Sequence, residues 1–310
     1  MDASLDMAFY DASVASVLAQ VPPGAGVDRH DGEEEYDRDE RVALEQLAIH
    51  VRGRLTEMGP AGAGGRNSVS ESGRYAGAPN RLRQLLVFYH PPVNPLRADW
   101  FDRPTVEVAR DLIGCVLVYD RPDGSRLAGV LVETEAYVAD DPAMHGWRAD
   151  AGPAGRVQPI GRAADLFAAP GTAYVYRVYM DHWLLNVVTE PTGVPGCVLV
   201  RAVEPVAGVP EMQANRPGTG RAADLTNGPG KLTQAFGIAG RRFHGQPLTA
   251  PPLYLAAPPA GAPAPEVAVS TRIGIARGVE RPYRFYVPRH PFVSPGVPSD
   301  VRVARRTGRA

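Results

Sequence analysis

Glu133, Glu135 and Tyr137 stand two residues apart in the run Gly129–Tyr137. In an extended strand that spacing puts all three on one face, each roughly 6.5–7 Å from the next. Val130, Val132, Thr134 and Ala136 make the alternate face apolar or small. Burying carboxylates is costly unless a cleft or an opposite charge lies over them. Two acids on one face suit proton transfer or cation binding. An edge strand with solvated glutamates would show the same pattern. Arg201 sharpens the choice. It interrupts the apolar strand Cys197–Val203, where a guanidinium needs a partner, and Glu135 is the natural one.

Periodicity and turn residues indicate the elements that must position these groups. Asp102 is placed to cap a helix with Pro104 near its first turn and Val106, Ala109, Leu112 and Ile113 on its buried face; Gly114 ends it. Cys115–Tyr119, the turn Arg121-Pro-Asp-Gly124 and the glutamate strand form a hairpin. Asp140–Ala168 is polar and rich in Gly and Pro, with His145, Trp147, Arg148, Arg156 and Arg162, the make-up of a binding loop. Thr172–Tyr179 and Trp183–Val188 read as a hairpin with an aromatic tip, in which Tyr174 and Tyr176 share a face and Tyr174 is core. Asn227-Gly-Pro-Gly-Lys231 leads into a helix at Leu232–Ile238, a reasonable phosphate site. Leu232 and Leu225 exclude a nucleotide-binding P-loop there. Pro251–Pro265 reads as a loop, and Ser270–Ala276 and Tyr283–Val287 as closing strands.

The formal net charge of −1 offers no general signal for nucleic acid, but the charge is uneven. Residues 1–95 hold 9 Arg against 14 acids, whereas residues 96–310 hold 24 cations against 20 acids, Lys231 being the only lysine. Arg suits bidentate phosphate contact. Cys115 and Cys197, in apolar runs, read as buried free thiols; two cysteines make neither a disulfide framework nor a zinc site. No signal peptide or long apolar span is present, so a cytoplasmic protein without a membrane partner is expected. Residues 1–95 read as a poorly ordered extension with helices at Ser4–Leu18 and Arg41–Met58 and a Gly/Ala/Ser linker at 61–80; the folded domain is 96–310.

Six motifs in order, two of them with a further single residue, carry a family resemblance: Val132-Glu-Thr-Glu-Ala-Tyr137 with His145; Pro170-Gly-Thr-Ala-Tyr-Val-Tyr176 with Tyr179; Leu185-Asn-Val187; Val198-Leu-Val-Arg201-Ala-Val-Glu-Pro205; Gly228-Pro-Gly-Lys-Leu-Thr-Gln-Ala235; and Arg272-Ile-Gly-Ile275. From about Leu96 to Ser294 the chain resembles the alkyladenine (3-methyladenine) DNA glycosylases, monofunctional and metal-free. The resemblance implies a single mixed α+β domain on a curved antiparallel sheet, with surrounding helices and a protruding hairpin that enters DNA. It implies a monomer, associated with the nucleoid, that removes damaged purines from double-stranded DNA without a cofactor. By position, Glu135 resembles the general base, and Arg201 and the main-chain carbonyl of Ile273 resemble the other groups holding its water. Tyr137, His145 and Tyr176 resemble the walls around a flipped base, Asn186 the residue that disfavours guanine, and Tyr179 the side chain filling the vacated stack. Lys231 and Gly230 are candidate phosphate contacts. Glu133 is expected outside the water site, in a structural role.

The chain departs from the family pattern at Met180-Asp181, where a Gly is usual after the tyrosine, at Met144, and at Ala163 and Leu166 in the binding loop. These changes bear on DNA affinity and substrate range more than on reaction type. Two other readings stand beside this one. Glu133, Glu135, Asp140, Asp141 and His145 could form a Mg²⁺ site of a phosphodiesterase; a lesion-binding protein without turnover would keep the pocket alone.

Overall fold

The computed structural model describes residues 94–153, 155–178, 182–238, 242–258 and 262–307. The helices expected at Ser4–Leu18 and Arg41–Met58, the linker at 61–80 and Tyr179 lie outside the described residues.

The architecture is mixed α+β, built on one curled antiparallel sheet of eight strands. Its main path runs β5 (Ala173–Val178), β6 (His182–Val188), β7 (Cys197–Ala207), β2 (Arg126–Tyr137), β1 (Val116–Asp120) and β8 (Leu253–Ala256). β10 (Arg284–Tyr286) pairs with the second half of β2 and carries β9 (Ala268–Ser270) on its far side. A small ribbon, β3 (Trp147–Arg148) with β4 (Arg156–Val157), lies within the long loop.

The glutamate strand is therefore central, not an edge. β7 flanks one side of β2 along most of its length, while β1 and then β10 flank the other. Its alternation is also interrupted. Leu127 and Leu131 enter the main core, and so does Ala136, while the Thr134 hydroxyl donates to the Ala109 carbonyl at 2.6 Å. The inward face thus changes parity between Leu131 and Thr134, where the pairing with β7 is irregular. Val130 accordingly packs into a separate cluster with Val116 and Val118. The strands approach closely at Gly129, where an added Cβ would lie 2.6 Å from Val203 Cγ2.

Alternation in β5, β6 and the first half of β7 gives the sheet two unlike faces. Ala173, Val175, Leu185, Val187, Val198 and Val200 pack inward with Phe101, Leu112, Leu232 and Phe236. Tyr174, Val188 and Cys197 face the other way and are covered by Met144, Val157, Ala163 and Leu166 of the long loop. Burial of this second cluster is what anchors a loop of otherwise polar composition.

Several element boundaries differ from the sequence reading. The helix after Asp102 spans Thr105–Asp111 and has no side-chain cap; its Thr105 N–H is met instead by Glu190 Oε1 at 2.7 Å, from across the fold. The helix expected at Leu232–Ile238 spans Pro229–Ala235, because Pro229 starts it. Leu253–Ala256, read as loop, is a buried strand that extends the sheet beyond β1. Ala268–Ser270, not Ser270–Ala276, is the strand beside β10. Short helices at Val209–Asn215 and Ser299–Thr307 complete the described chain.

Candidate active site

One cross-strand row organises the site. Tyr174 on β5 pairs with Asn186 on β6, Asn186 with Leu199 on β7, Leu199 with Glu135 on β2, and Glu135 with Arg284 on β10. At one strand spacing per step, Asn186 and Glu135 are roughly 10 Å apart. Tyr137 and Cys197, 60 positions apart in the chain, are thus neighbours because antiparallel pairing puts them opposite each other.

Glu135 is 0% exposed. Its Oε1 accepts from the Ile273 N–H at 2.7 Å and lies 3.3 Å from Arg201 Nη1. Its Oε2 accepts from the Tyr137 hydroxyl at 2.9 Å. A carboxylate offers about four lone-pair sites. The two hydrogen bonds and the ion pair leave a site free on the oxygen that meets the phenol. Arg201, Ile273 and Glu135 are brought together, but Ile273 meets Glu135 through its amide N–H rather than its carbonyl. Burial works against the Arg201 cation, and the nearby Glu135 and Glu133 outweigh it, raising its pKa. Tyr137 is pushed the same way by burial first and by Glu135 second, so its phenol remains a donor.

Glu133 is also 0% exposed, and its surroundings are different. It accepts from Arg201 Nε at 2.8 Å, Arg284 Nε at 2.7 Å, the Ser294 N–H at 2.7 Å and the Ser294 hydroxyl at 2.8 Å. Three of these donors share Oε1, and the Ser294 N–H alone meets Oε2. Burial alone would raise its pKa, but Arg201 and Arg284 more than compensate and hold it low, so it stays ionised. Arg201 therefore spans both glutamates, with its closer bond to Glu133, where Glu135 alone was expected.

Tyr137, Met144, His145, Tyr174, Tyr176, Asn186 and Cys197 line a small cavity of about 30 Å³ on the aromatic face. Tyr137 is the junction: its ring lines the cavity and its hydroxyl reaches the buried Glu135. His145 and Tyr176 stand edge to face, with ring centroids 4.6 Å apart. His145 Nδ1 is 2.7 Å from the Tyr174 hydroxyl. Burial, and then the charge of Arg162, lower the His145 pKa to about 4, leaving a neutral imidazole. Asn186 Nδ2 donates to the Tyr174 carbonyl at 3.0 Å, and its Oδ1 is 3.9 Å from Cys197 Sγ. Arg272 lies 4.5 Å from the centre of the Tyr137 ring and is paired with Asp141.

Lys231 and Gly230 do not touch this cluster. Lys231 Nζ donates to Asn227 Oδ1 at 2.6 Å, and an added Cβ on Gly230 would lie 3.2 Å from the His182 side chain, beside the β5–β6 hairpin. The acids proposed as metal ligands are already committed: Asp140 to Arg281, Asp141 to Arg272, and Glu133 to two arginines. Among the described residues no three His, Cys, Asp or Glu side chains converge on a common point for a metal ion.

Tyr174, Cys197, Arg272 and Ser294 were not singled out as site residues. Tyr174 and Cys197 could have been, since each alternates with core positions in strands that carry site residues. Ser294 has no local pattern to mark it.

The model of the methylpurine-DNA glycosylase family matches residues 99–291, which contain all the site residues placed above except Ser294. Named relatives agree. A protein of Salinibacter ruber is 56% identical over 208 residues, covering 67% of this chain and 100% of its own. One from Rubrobacter xylanophilus is 46% identical over 178 residues, 57% of this chain and 85% of its own, and one from Chlorobium luteolum is 42% identical over 205 residues, 66% and 98%. Each of the three carries the name "Putative 3-methyladenine DNA glycosylase". The fold and these matches define a DNA glycosylase, a hydrolase of DNA repair. The chain belongs to the methylpurine-DNA glycosylase family. Among the described residues no helix is long and apolar enough to cross a membrane.

Proposed function

We propose that this enzyme excises alkylated or otherwise damaged purines from duplex DNA, acting as a monomer, with Glu135 as the base that activates water. The observation that carries this reading is the join between an aromatic cavity and a carboxylate with one free acceptor site, made through Tyr137.

A base stacked in the duplex is out of reach of any enclosed carboxylate, so the nucleotide must be turned out, at a cost of a few kcal/mol. Tyr179 offsets part of that cost by filling the vacated stack. Tyr137, His145 and Tyr176 enclose the base; stacking on such side chains is worth roughly 1–3 kcal/mol per base. Their faces also attract a positively charged alkylpurine. Asn186 disfavours guanine at the pocket floor. Lys231 and Gly230 contribute phosphate contacts beside the hairpin.

Water bonded to the free site of Glu135, with Arg201 and the Ile273 carbonyl beside it, attacks the sugar C1′. The C1′–N bond breaks and its electron pair leaves with the base, while the water proton passes to Glu135. The products are a free purine and an abasic sugar carrying the water oxygen. A cationic alkylpurine departs neutral, so no second acid is required. The carboxylate also stabilises the positive charge that develops on the sugar.

The test is base release from duplexes carrying 3-methyladenine, 7-methylguanine, hypoxanthine or ethenoadenine. Release by the parent chain and its loss in Glu135→Gln, with lesion binding retained, is the expected result. Unchanged release in Glu135→Gln refutes the mechanism.

A further inference from the structure

The two groups that meet the Glu135 carboxylate from outside its own strand, Arg201 and the Ile273 N–H, are both bonded to or flanked by one segment near the C-terminus. Arg201 uses its three guanidinium nitrogens separately: Nε on Glu133 at 2.8 Å, Nη2 on the Ser294 hydroxyl at 3.2 Å, and Nη1 towards Glu135 at 3.3 Å. Ser294 also gives both its N–H and its hydroxyl to Glu133, so it ties the anchor and the guanidinium together. Two nitrogens are fixed, and the direction of the third follows from planarity.

The second group on Glu135, the Ile273 N–H, sits in the loop between β9 and β10. This loop has little regular structure, and the same C-terminal segment holds it. The Ser299 N–H donates to the Arg272 carbonyl at 2.8 Å, and the Ser299 hydroxyl accepts from the Ile275 N–H at 3.1 Å. Those bonds bracket Ile273 on both sides. The Thr271 hydroxyl bonds to Asp300, and Arg302 Nη2 donates to the Ile275 carbonyl at 3.3 Å. Ile273 itself packs on Gly296, where an added Cβ would lie 2.7 Å from Ile273 Cγ2, and forms a bridge with Pro298. Ser294 is 8% exposed and Ser299 is 0% exposed, so neither serine is a surface ornament.

We propose that Ser294 and Ser299 are positioning residues for the glycosylase reaction, aiming Arg201 and the Ile273 amide at Glu135. Both lie beyond residue 291, where the family match ends. The segment 294–302 is then part of the catalytic machinery although it touches no substrate. The proposal rests on Glu135 being the general base.

Ser294→Ala, Ser294→Thr, Ser299→Ala and Glu135→Gln are to be compared in the full chain. Three quantities are needed for each: the single-turnover rate of 7-methylguanine release, the Kd for a duplex with a stable abasic-site analogue, and the folded fraction from thermal melts. Ser294→Ala should slow release per folded molecule about tenfold, the rate equivalent of one hydrogen bond to a charged group, and Ser299→Ala, which loses only the neutral bond from the Ile275 N–H, about threefold. Kd should stay within about twofold, because uniform binding is untouched. Ser294→Thr, which keeps the hydroxyl, should recover most of the rate. If both alanine variants melt earlier but release base at the parent rate per folded molecule, the serines are only structural and the proposal falls. It falls equally if the loss lies in Kd. Should Ser294→Ala not fold, Ser299→Ala decides. Parent-like activity in Glu135→Gln would instead overturn the reading of the site, whatever the serines do.

Discussion

Glu133 and Glu135 are the same residue type on the same strand, and both are fully buried, yet one is closed and the other open. Glu133 accepts four hydrogen bonds from two arginines and one serine, none of which lines the aromatic cavity. Glu135 accepts hydrogen bonds from one main-chain N–H and one phenol and pairs with one guanidinium, and that phenol belongs to a ring in the cavity wall. The difference teaches that burial and charge do not by themselves mark a catalytic carboxylate. Unfilled acceptor capacity next to a cavity does. Arg201 makes the two sites one device, since the glutamate remote from the cavity orients the cation that serves the one beside it.

Exchanging each carboxylate for its amide should separate the two sites most widely. Glu135→Gln should cut base release by roughly 10²–10⁴-fold, the range for a general base. Single-turnover assays and a lesion-duplex titration would check that loss against retained binding. Glu133→Gln should act first on stability: two buried arginines lose their shared counter-charge, at a cost of about 3–5 kcal/mol. Urea unfolding measures it, and a Glu133→Gln protein as stable as the parent would erase the contrast.

Tyr137→Phe tests the link between carboxylate and cavity. It removes one donor from Glu135 and keeps the aromatic wall, so the expected loss in rate is about three- to tenfold with little change in lesion affinity. A larger loss of affinity than of rate would show that the phenol serves the pocket rather than the carboxylate.

His145 gives the smallest and most local effect. Its pKa is about 4 in the folded protein, against an ordinary 6.5. The unfolded chain takes up that proton near 6.5 and the folded chain does not until about 4, so this contribution to stability is complete above about 6.5 and is lost as pH falls towards 4. His145→Gln should flatten that part of the stability curve, read from urea midpoints over the same interval. Arg162→Gln should raise the His145 value, which an NMR titration of the imidazole would follow.

Family membership and most of the candidate site were legible in local pattern. Period-two alternation assigned Tyr174 and Tyr176 to one face, and Arg201 announced itself as a charge in an apolar strand. The open and closed glutamates were not legible, because the donors that distinguish them lie 66 to 161 positions away in sequence. Nor was the change of parity in β2, which arises from an irregular pairing with β7. Leu253–Ala256 was missed because prolines on both sides read as loop, whereas its burial against β1 made it a strand.

The sequence by itself determined that Glu133, Glu135 and Tyr137 share a face and which chemistry they are fit for, since those follow from spacing along one stretch of strand. Only the tertiary structure decided which carboxylate is enclosed by two arginines and a serine and which meets the cavity wall. Hydrogen-bond capacity is filled by whatever packs from elsewhere, and β10, the loop before it and the C-terminal segment arrive over β2 only when the sheet curls closed.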